Sequence, residues 1–345
     1  MKNKVKRLSQ IGEFGLIERI KTKFADSNNN ISIGIGDDAC LIKPTVKKDI
    51  LVTTDILLEG IHFDLSYTSF YQLGYKGLSV NISDIAAMGG LPRYLLISIG
   101  IPSNIETKDI DELYEGIYEL TKDADIYIVG GDTVRSKGSL FLSLTLIGEI
   151  EHNRAISRSG AKTGDKIFVT GRTGDSRAGL EILQGKAAMR RSWSKSLVGR
   201  HLCPVPRLLE GRMLASERLA SSMIDISDGL IAELNQICKE SNTGALIYLD
   251  RLPVSKELYE YTKETGGNPI EYALNGGEDY ELLFTVDKEK EEGINRMMMK
   301  KRIMDCCCIG EIVPVNREIM AIDKHGVIKR IKKQGYEHFK MEDRK

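Results

Sequence analysis

The segment ISIGIGDDACLIK, residues 31–43, places two adjacent carboxylates, Asp37 and Asp38, inside a run of apolar residues. Apolar and β-branched residues in this run predict a strand. Two like charges at one point of a strand repel each other, so a fold that buries the run must supply a cation beside them or leave them open to water. The segment therefore predicts either a cation site or a strand that opens to solvent.

Carboxylates beside small residues recur along the chain. The predicted strand 50–56 ends in TTD, the predicted helix 77–88 carries NISD, and the predicted strand 126–132 ends in GGD. Further on, MIDISDG leads into a predicted helix and GGED into a predicted strand. Small residues let a ligand approach the backbone closely, and oxygen donors from separate elements suit Mg²⁺, which usually binds together with a phosphate.

Each acidic segment alone also fits ordinary turn or helix-cap chemistry. Asp228, for example, precedes a predicted helix and is a possible N-cap residue. Asp37 and Asp38 are harder to explain in this way, because the pair interrupts an apolar run. The joint occurrence of these segments favours a site for divalent metal ions.

The order of predicted elements indicates an α+β protein of two domains. The polar, glycine-containing segment 151–165 predicts the boundary between a first domain, 1–150, with a mixed, mainly antiparallel sheet and a second domain, 151–345, of α/β type. In the first domain, strands are predicted at 31–43, 50–56, 91–102, 126–132 and 140–150, and helices at 69–88 and 107–123. In the second, strands are predicted at 166–171, 244–249, 280–285 and 307–312, and helices after residue 171, around 204–220 and at 228–241.

Composition excludes several functional classes. The 345 residues carry 49 Lys and Arg against 49 Asp and Glu, so a nucleic-acid binder, which would be basic, is not expected. No apolar run reaches the ~20 residues that span a bilayer, and no signal peptide follows the basic start, so no membrane partner is expected. Six cysteines without a CxxC spacing argue against a zinc site or a disulfide framework and favour a cytoplasmic protein.

Familiar catalytic motifs are missing from the sequence. It contains no GxxxxGK[ST] phosphate loop, no protein-kinase HRD and DFG pair, and no HExxH. The segment TGRTGDSRAGL, 170–180, is rich in glycine at a strand–helix turn but lacks the dinucleotide-binding spacing, so a structural role is predicted for it.

Taken together, the motifs resemble the thiamine-monophosphate kinase family of the ATP-binding superfamily typified by aminoimidazole-ribonucleotide synthetase. The resemblance covers nearly the whole chain. The matching stretches are GEFGLI (12–17), GIGDDAC (34–40), TTDILLEGIHF (53–63), VNISDIAAMGG (80–90), GGDTVR (130–135), RSGAKTGD (158–165), VTGRTGDSRAGL (169–180), RHLCPVPRLLEG (200–211), IDISDGL (224–230), GGEDYELLF (276–284) and GYEHF (335–339).

This resemblance implies ATP-dependent phosphorylation of thiamine monophosphate to thiamine diphosphate by a homodimer. The first-domain sheets would pair, and ATP with several Mg²⁺ ions would lie between the domains. The implied metal contacts are Asp38, Thr53, Thr54, Asp55, Asp84, Asp132, Asp225 and Asp228. The implied ATP contacts are Tyr114, Gly131, Asp132, Arg158 and Ser227, and the implied substrate contacts are His62, Glu278 and Tyr336.

The implied chemistry needs no dedicated catalytic base. The nucleophile would be a phosphate oxygen of thiamine monophosphate, whose second pKa of about 6 leaves it largely dianionic at pH 7. The divalent metals would neutralise Asp37 and Asp38, and positioning would supply much of the rest. His62 is alternatively a surface residue of an edge strand, Tyr336 an anchor for the C-terminal tail, and the Cys306–Cys308 triplet part of a strand in the core.

Rival interpretations come from the same superfamily and from outside it. A selenophosphate synthetase needs a reactive Cys in an N-terminal glycine-rich loop, whereas Cys40 follows the aspartates on a predicted strand. A hydrogenase-maturation relative would end in Cys, whereas this chain ends in EDRK. An aminoimidazole-ribonucleotide synthetase or a metal-binding protein without catalysis remains open, and ATP consumption with thiamine monophosphate would separate the latter from a kinase.

Overall fold

The computed structural model describes residues 8–24, 28–35, 39–189, 191–299, 305–314 and 318–331. The chain divides into two compact units. Unit 1 comprises Met1–Ile85 and Gly90–Asn153, and unit 2 comprises Ala86–Gly89 and Arg154–Lys345. The main division thus falls close to the polar segment 151–165, while the roles assigned to domains 1–150 and 151–345 stay predictions.

The described part of unit 1 contains a four-stranded sheet, three helices and a separate strand pair. Its sheet order is β3-β6-β4-β5, in which β4 and β5 are parallel and the other neighbours antiparallel. The short strands β1 and β2 pair with each other. The elements are α1 (Leu8–Lys23), β1 (Ile31–Ile33), β2 (Leu41–Ile42), β3 (Lys48–Leu58), α2 (Phe70–Ala87), β4 (Leu91–Ile101), α3 (Thr107–Ala124), β5 (Tyr127–Arg135) and β6 (Phe141–Glu151).

Helix α2 packs on one face of this sheet. A Cβ atom at Gly77 would meet the side chains of Leu142 and Leu144, so the helix lies close to the central strand β6. Helix α3 packs against α2, where a Cβ atom at Gly116 would come within 2.0 Å of the Tyr71 carbonyl oxygen. Only glycine permits that approach of two helix backbones.

Unit 2 is built on a seven-stranded sheet of order β13-β12-β9-β11-β7-β10-β8, antiparallel except for the β12–β9 pair. Its first α/β turn leads from β7 into α4, as the segment 170–180 predicts. The elements are β7 (Lys166–Thr170), α4 (Asp175–Leu183), α5 (Ser194–Leu202), α6 (Leu208–Ser216), β8 (Ala220–Asp225), α7 (Leu230–Ser241), β9 (Gly244–Tyr248), α8 (Lys256–Thr265), α9 (Pro269–Asn275), β10 (Leu282–Val286), α10 (Glu291–Met299), β11 (Cys306–Val313), β12 (Ile319–Ile322) and β13 (Ile328–Arg330).

Two hydrophobic clusters stabilise unit 2. The larger joins the sheet to α7, with Ile224, Leu234 and Leu283 among its fully buried members. The smaller holds α4, α5 and α8 together around Trp193 and Tyr261, whose rings meet edge to face at 5.5 Å between centroids. The cores fix the loops between these elements, and those loops carry the predicted site residues of unit 2.

Several predicted element bounds need correction. The described part of the segment 31–43 is not one strand but contains the two short strands β1 and β2, which pair antiparallel with each other. The TTD sequence lies inside β3 and the GGD sequence inside β5, not at their ends. Strand β10 starts at Leu282 rather than at residue 280, because the preceding residues form a loop with left-handed backbone.

No helix within the described ranges combines the length and the apolar character that crossing a membrane requires.

Candidate functional site

In unit 1, three predicted metal ligands meet between β3 and α2. Alternation along β3 turns Thr53 and Asp55 to the same face of the strand, and Asp84 reaches this face from the last turns of α2. The Thr53 hydroxyl donates a hydrogen bond to the Asp84 carboxylate. The structure therefore brings Thr53, Asp55 and Asp84 together.

Asp55 is held in an electrostatically unfavourable position. Its Oδ2 atom is buried and accepts no hydrogen bond from any residue that the structure describes. Burial raises the pKa of Asp55 to about 6, and the nearby Asp84 charge adds to the rise. A cation beside the two carboxylates would relieve both effects.

These residues fit a divalent metal ion as a partial ligand set. Mg²⁺ takes oxygen ligands and commonly uses one or two protein carboxylates together with water and substrate phosphate. Within the described residues, no group of three or more His, Cys, Asp or Glu side chains is arranged as a metal site. The two carboxylates Asp55 and Asp84 therefore match a site that a phosphate ligand completes.

Two more predicted site residues of unit 1, the metal contact Thr54 and the substrate contact His62, lie away from this pair. The Thr54 side chain points to the opposite face of β3, where its hydroxyl lies 3.1 Å from both the Leu144 carbonyl oxygen and the Thr145 hydroxyl. His62 lies in the turn after β3, and its Nδ1 atom accepts a hydrogen bond of 3.0 Å from the Leu58 N–H. Neither side chain joins the Asp55–Asp84 pair.

A second part of the unit 1 site is a cavity of about 830 Å³ beside strand β5. Gly131 and Asp132 form part of its lining, with Ser98 on the neighbouring strand β4. A Cβ atom at Gly131 would lie 1.9 Å from the Ile97 carbonyl oxygen, so only glycine fits there. The wall therefore exposes backbone, and a ligand can approach it closely.

Tyr114 lines the same cavity from helix α3. Its side chain is buried, which raises the pKa of the phenol, so it stays protonated and mainly offers an aromatic surface. The ring of Phe24 lies 5.6 Å from it, centroid to centroid. Cys40 also lines the cavity.

Asp132 lies far from the Asp55–Asp84 pair within the chain. The cross-strand register runs from Asp132 to Ser98, then to Ser143 and to Ile56, so three strand spacings, roughly 14 Å, separate β5 from β3. Because Mg–O contacts are about 2 Å, the pair and Asp132 cannot share one ion in this arrangement.

In unit 2, Asp225, Ser227 and Asp228 lie at the end of β8 and in the loop before α7. Glu233, one turn into α7, holds this loop: its carboxylate accepts from the Asp228 N–H at 3.1 Å and from the Ser227 hydroxyl at 3.3 Å. Asp228 is thus not the N-cap residue, a position that Gly229 takes.

Glu233 was not among the predicted site residues. Burial raises its pKa to about 7; the Asp228 charge adds to the rise, whereas the Asp228 N–H and the charge of Arg158 oppose it. The segment of Arg158 runs beside β8, because the Ser157 carbonyl oxygen accepts from the Met223 N–H at 3.0 Å. An acidic residue in the first turn after ISDGL is the sequence signal that would have identified Glu233.

Glu278 lies in the loop between α9 and β10, directly beside the ISDGL loop. Its N–H donates to the Ser227 carbonyl oxygen at 2.6 Å. Its carboxylate lies 3.3 Å from Nδ1 of the buried His201. The structure thus gathers the predicted unit 2 residues Asp225, Ser227, Asp228 and Glu278 at one end of the unit 2 sheet.

Three further predictions lie outside the described residues: the metal contact Asp38 with its neighbour Asp37, and the substrate contact Tyr336.

Comparisons with known proteins identify the class of protein. The model of the AIR synthase related protein N-terminal domain matches residues 36–150, and that of the AIR synthase related protein C-terminal domain matches residues 162–323. The Asp55–Asp84 pair, the ISDGL loop and most of the lining of the β5 cavity lie within these matched segments. The fold is therefore that of the AIR synthase related proteins.

Within that class the similarity is more specific. The chain is 41% identical over 284 residues to the thiamine-monophosphate kinase of Aquifex aeolicus (strain VF5). These aligned residues make up 82% of this chain and 89% of that protein. The crystal structure of thiamine-monophosphate kinase from Stenotrophomonas maltophilia K279a superposes with a TM-score of 0.80 at 33% identity, over 90% of this chain and 96% of that one. AaThiL complexed with AMPPCP and TMP superposes with a TM-score of 0.76 at 36% identity, over 98% of this chain and 100% of that one.

The chain belongs to the thiamine-monophosphate kinase family.

Proposed function

We propose that this chain is a kinase that transfers the γ-phosphoryl group of ATP to thiamine monophosphate, forming thiamine diphosphate and ADP. The observation that carries the proposal is the full-length similarity to AaThiL, which was solved with AMPPCP and TMP. A bond forms between a phosphate oxygen of thiamine monophosphate and the γ-phosphorus, and the bond from that phosphorus to the bridging oxygen of ADP breaks.

Predicted ATP contacts lie in each unit, at the β5 cavity of unit 1 and at the ISDGL loop of unit 2. Gly131 offers a backbone wall, Tyr114 an aromatic surface, and Ser227 and Arg158 a hydroxyl and a positive charge. A guanidinium suits phosphate oxygens because it presents several N–H donors in one plane. Thiamine monophosphate would contact His62, Glu278 and Tyr336.

Asp55 and Asp84 would hold one divalent metal ion with Thr53 beside them, and Asp38, Asp132, Asp225 and Asp228 would contact further ions. The predicted contact Thr54 faces away from the pair and has no part in this first ion site. When bound, Mg²⁺ supplies positive charge that offsets repulsion between the two polyanionic substrates. The unpaired buried oxygen of Asp55 supports this assignment, since a carboxylate without a donor is costly to keep in the fold. No residue needs to act as a base, because the attacking phosphate is already largely dianionic.

The open face of the unit 1 sheet supports a homodimer. Along β3, Ile50, Val52 and Ile56 alternate outward and are 59%, 65% and 59% exposed, while helix α2 covers the other face. Phe141 and Ile147 of β6 share the open face through the β3–β6 register. An apolar sheet face of this kind needs cover, and a second copy of the same face supplies it. The six free cysteines accord with a cytoplasmic location.

A stoichiometric assay tests the activity. The purified chain is incubated with ATP, MgCl₂ and thiamine monophosphate, and ADP, inorganic phosphate and thiamine diphosphate are separated by chromatography. We expect one thiamine diphosphate for each ADP, and no product from unphosphorylated thiamine. Release of ADP and inorganic phosphate with thiamine monophosphate unchanged would overturn the proposal.

A further inference from the structure

The loop of residues 276–281 in unit 2 holds three carboxylates, and each has a different partner. Asp279 accepts from the N–H groups of Gly174 and Ser176, at 2.6 and 3.2 Å. Glu281 accepts two hydrogen bonds of 2.5 Å from Arg207. The third carboxylate, Glu278, faces His201. The loop is therefore fixed from three sides.

The backbone of this loop is unusual where Glu278 lies. Glu278 and Tyr280 both adopt left-handed conformations, with φ of 62° and 52°. Such values are unfavourable for residues other than glycine, so the surroundings must enforce them. The N–H groups of both residues donate to the neighbouring loop, to Ser227 and Ile226, at 2.6 and 2.9 Å.

His201 is the buried partner of Glu278. It lies near the end of α5 with 3% of its surface exposed, whereas 29% of the Glu278 side chain is exposed. Its Nδ1 atom lies 3.1 Å from the Ser176 hydroxyl and 3.3 Å from the Glu278 carboxylate. Because a carboxylate only accepts hydrogen bonds, an attractive contact requires the imidazole hydrogen on Nδ1.

We propose that His201 is a positioning residue for thiamine monophosphate: it orients the Glu278 carboxylate from behind, while Glu278 contacts the substrate. This inference rests on the proposed function, which makes Glu278 a substrate contact. His201 is buried behind the partly exposed Glu278, so its influence passes through that carboxylate. A carboxylate held in one orientation loses less conformational entropy when it binds the cationic thiazolium ring of thiamine monophosphate.

Steady-state kinetics on matched variants tests the proposal. His201→Leu keeps the bulk and removes the donor, whereas His201→Asn retains an amide near the place of Nδ1. We expect His201→Leu to raise KM for thiamine monophosphate by about tenfold, with kcat and KM for ATP changed by less than about twofold. His201→Asn should restore most of that loss. Leu202→Ala, at the next buried position of α5, controls for simple loosening of the helix.

A double-mutant cycle separates positioning from a structural effect. If His201 acts through Glu278, then His201→Leu adds little to the KM of Glu278→Gln. Additive effects in the cycle, or an equal rise in KM for Leu202→Ala, would overturn the proposal. An unchanged KM in folded His201→Leu would overturn it as well, while the proposed function would stand on the wild-type turnover.

Hydrogen exchange tests the same inference without turnover. The Glu278 and Tyr280 amides should exchange about tenfold faster in His201→Leu than in the wild type, and near the wild-type rate in His201→Asn. Absence of turnover in the wild type would refute the proposed function, and this measurement would still decide whether His201 holds the loop. Equal exchange in all three proteins would show that it does not.

Discussion

Buried carboxylates distinguish the two parts of the candidate site at the scale of single residues. Asp55 has an oxygen without a donor among the described residues, while Glu233 accepts two hydrogen bonds from its own loop. The first arrangement fits a ligand-binding group and the second a group that supports its neighbours. Sequence motifs identified Asp55, because it occurs in a family pattern. They missed His201, because only the folded chain brings this side chain to Glu278. They also missed Glu233, whose place in the first turn of α7 is a local signal of its role.

Asp55→Asn should abolish turnover at any substrate concentration. The substitution keeps the size of the side chain and removes the charge that would hold metal beside the transferring phosphoryl group, an interaction that matters most in the transition state. We expect kcat to fall by at least about 100-fold. Steady-state kinetics at saturating MgCl₂ checks this, with circular dichroism to verify folding.

Asp49→Asn is the matched control, since Asp49 lies on the same strand but is exposed and paired with His152. It should leave kcat unchanged. A folded Asp55→Asn variant with near-normal kcat would contradict the metal assignment.

The same residue should make stability depend on pH. The pKa of Asp55 is about 6 in the folded chain against an ordinary 3.8, so the folded state binds this proton more tightly. Its contribution to the free energy of unfolding is therefore fully present below about pH 4 and is lost as the pH rises to about 6, by up to about 3 kcal/mol. Urea unfolding of metal-free protein should show this loss in the wild type and not in Asp55→Asn.

Addition of MgCl₂ at pH 8 should stabilise the wild type more than Asp55→Asn, because bound cation offsets the buried charge. Parallel pH profiles for the two proteins would show that Asp55 is not the group responsible.

At the scale of elements, periodicity predicted unit 1 well. Strands β3 to β6 and helices α2 and α3 lie within a few residues of their predicted bounds, since each is long and has a clear apolar pattern. The segment 31–43 failed because its apolar residues are split between two short strands. Helices α1, α5, α8, α9 and α10 were not predicted. In unit 2, the short helices α5, α8, α9 and α10 depend more on tertiary packing than on the apolar pattern of their own sequences.

The start of α4 depends on a carboxylate from a distant loop. Asp279 is half-buried and accepts from two N–H groups at this helix end, an interaction that normally a local cap residue supplies. Asp279→Asn turns an amide NH₂ toward one of these donors and should lower the free energy of unfolding by about 2–3 kcal/mol. Urea denaturation at pH 7 measures the change.

Asp287→Asn is the comparison variant, because Asp287 caps a short exposed turn through the Glu289 N–H. Its cost should stay below about 1 kcal/mol. Equal costs for the two variants would mean that the Asp279 contacts do not stabilise α4.

At the scale of the whole molecule, the outward face of β3 argues for assembly. The family resemblance implies that the first-domain sheets pair, and the exposed apolar row on β3 supports that pairing. Val52→Asp places a charge at the centre of the row and should convert a dimer into a monomer, since an unpaired charge within an apolar interface is unfavourable. Light scattering at micromolar concentration should give twice the 38.5 kDa chain mass for the wild type and the chain mass for the variant.

Val46→Lys, in the exposed turn before β3, introduces a charge outside the sheet face and should remain dimeric. A wild-type protein with the mass of a single chain would refute assembly through this face.

The four residues Ala86–Gly89 belong to unit 2 although the chain on both sides of them belongs to unit 1. Within unit 2 their carbonyl groups have specific partners: Met88 accepts from the Ile156 N–H at 3.1 Å, and Gly89 from Arg212 at 2.7 Å. A gene fragment that begins at residue 154 would therefore encode unit 2 without its residues 86–89. A single crossover at residue 153 between two relatives would combine residues 86–89 of one parent with the second half of the other, so unit 2 of the product would contain sequence from both parents.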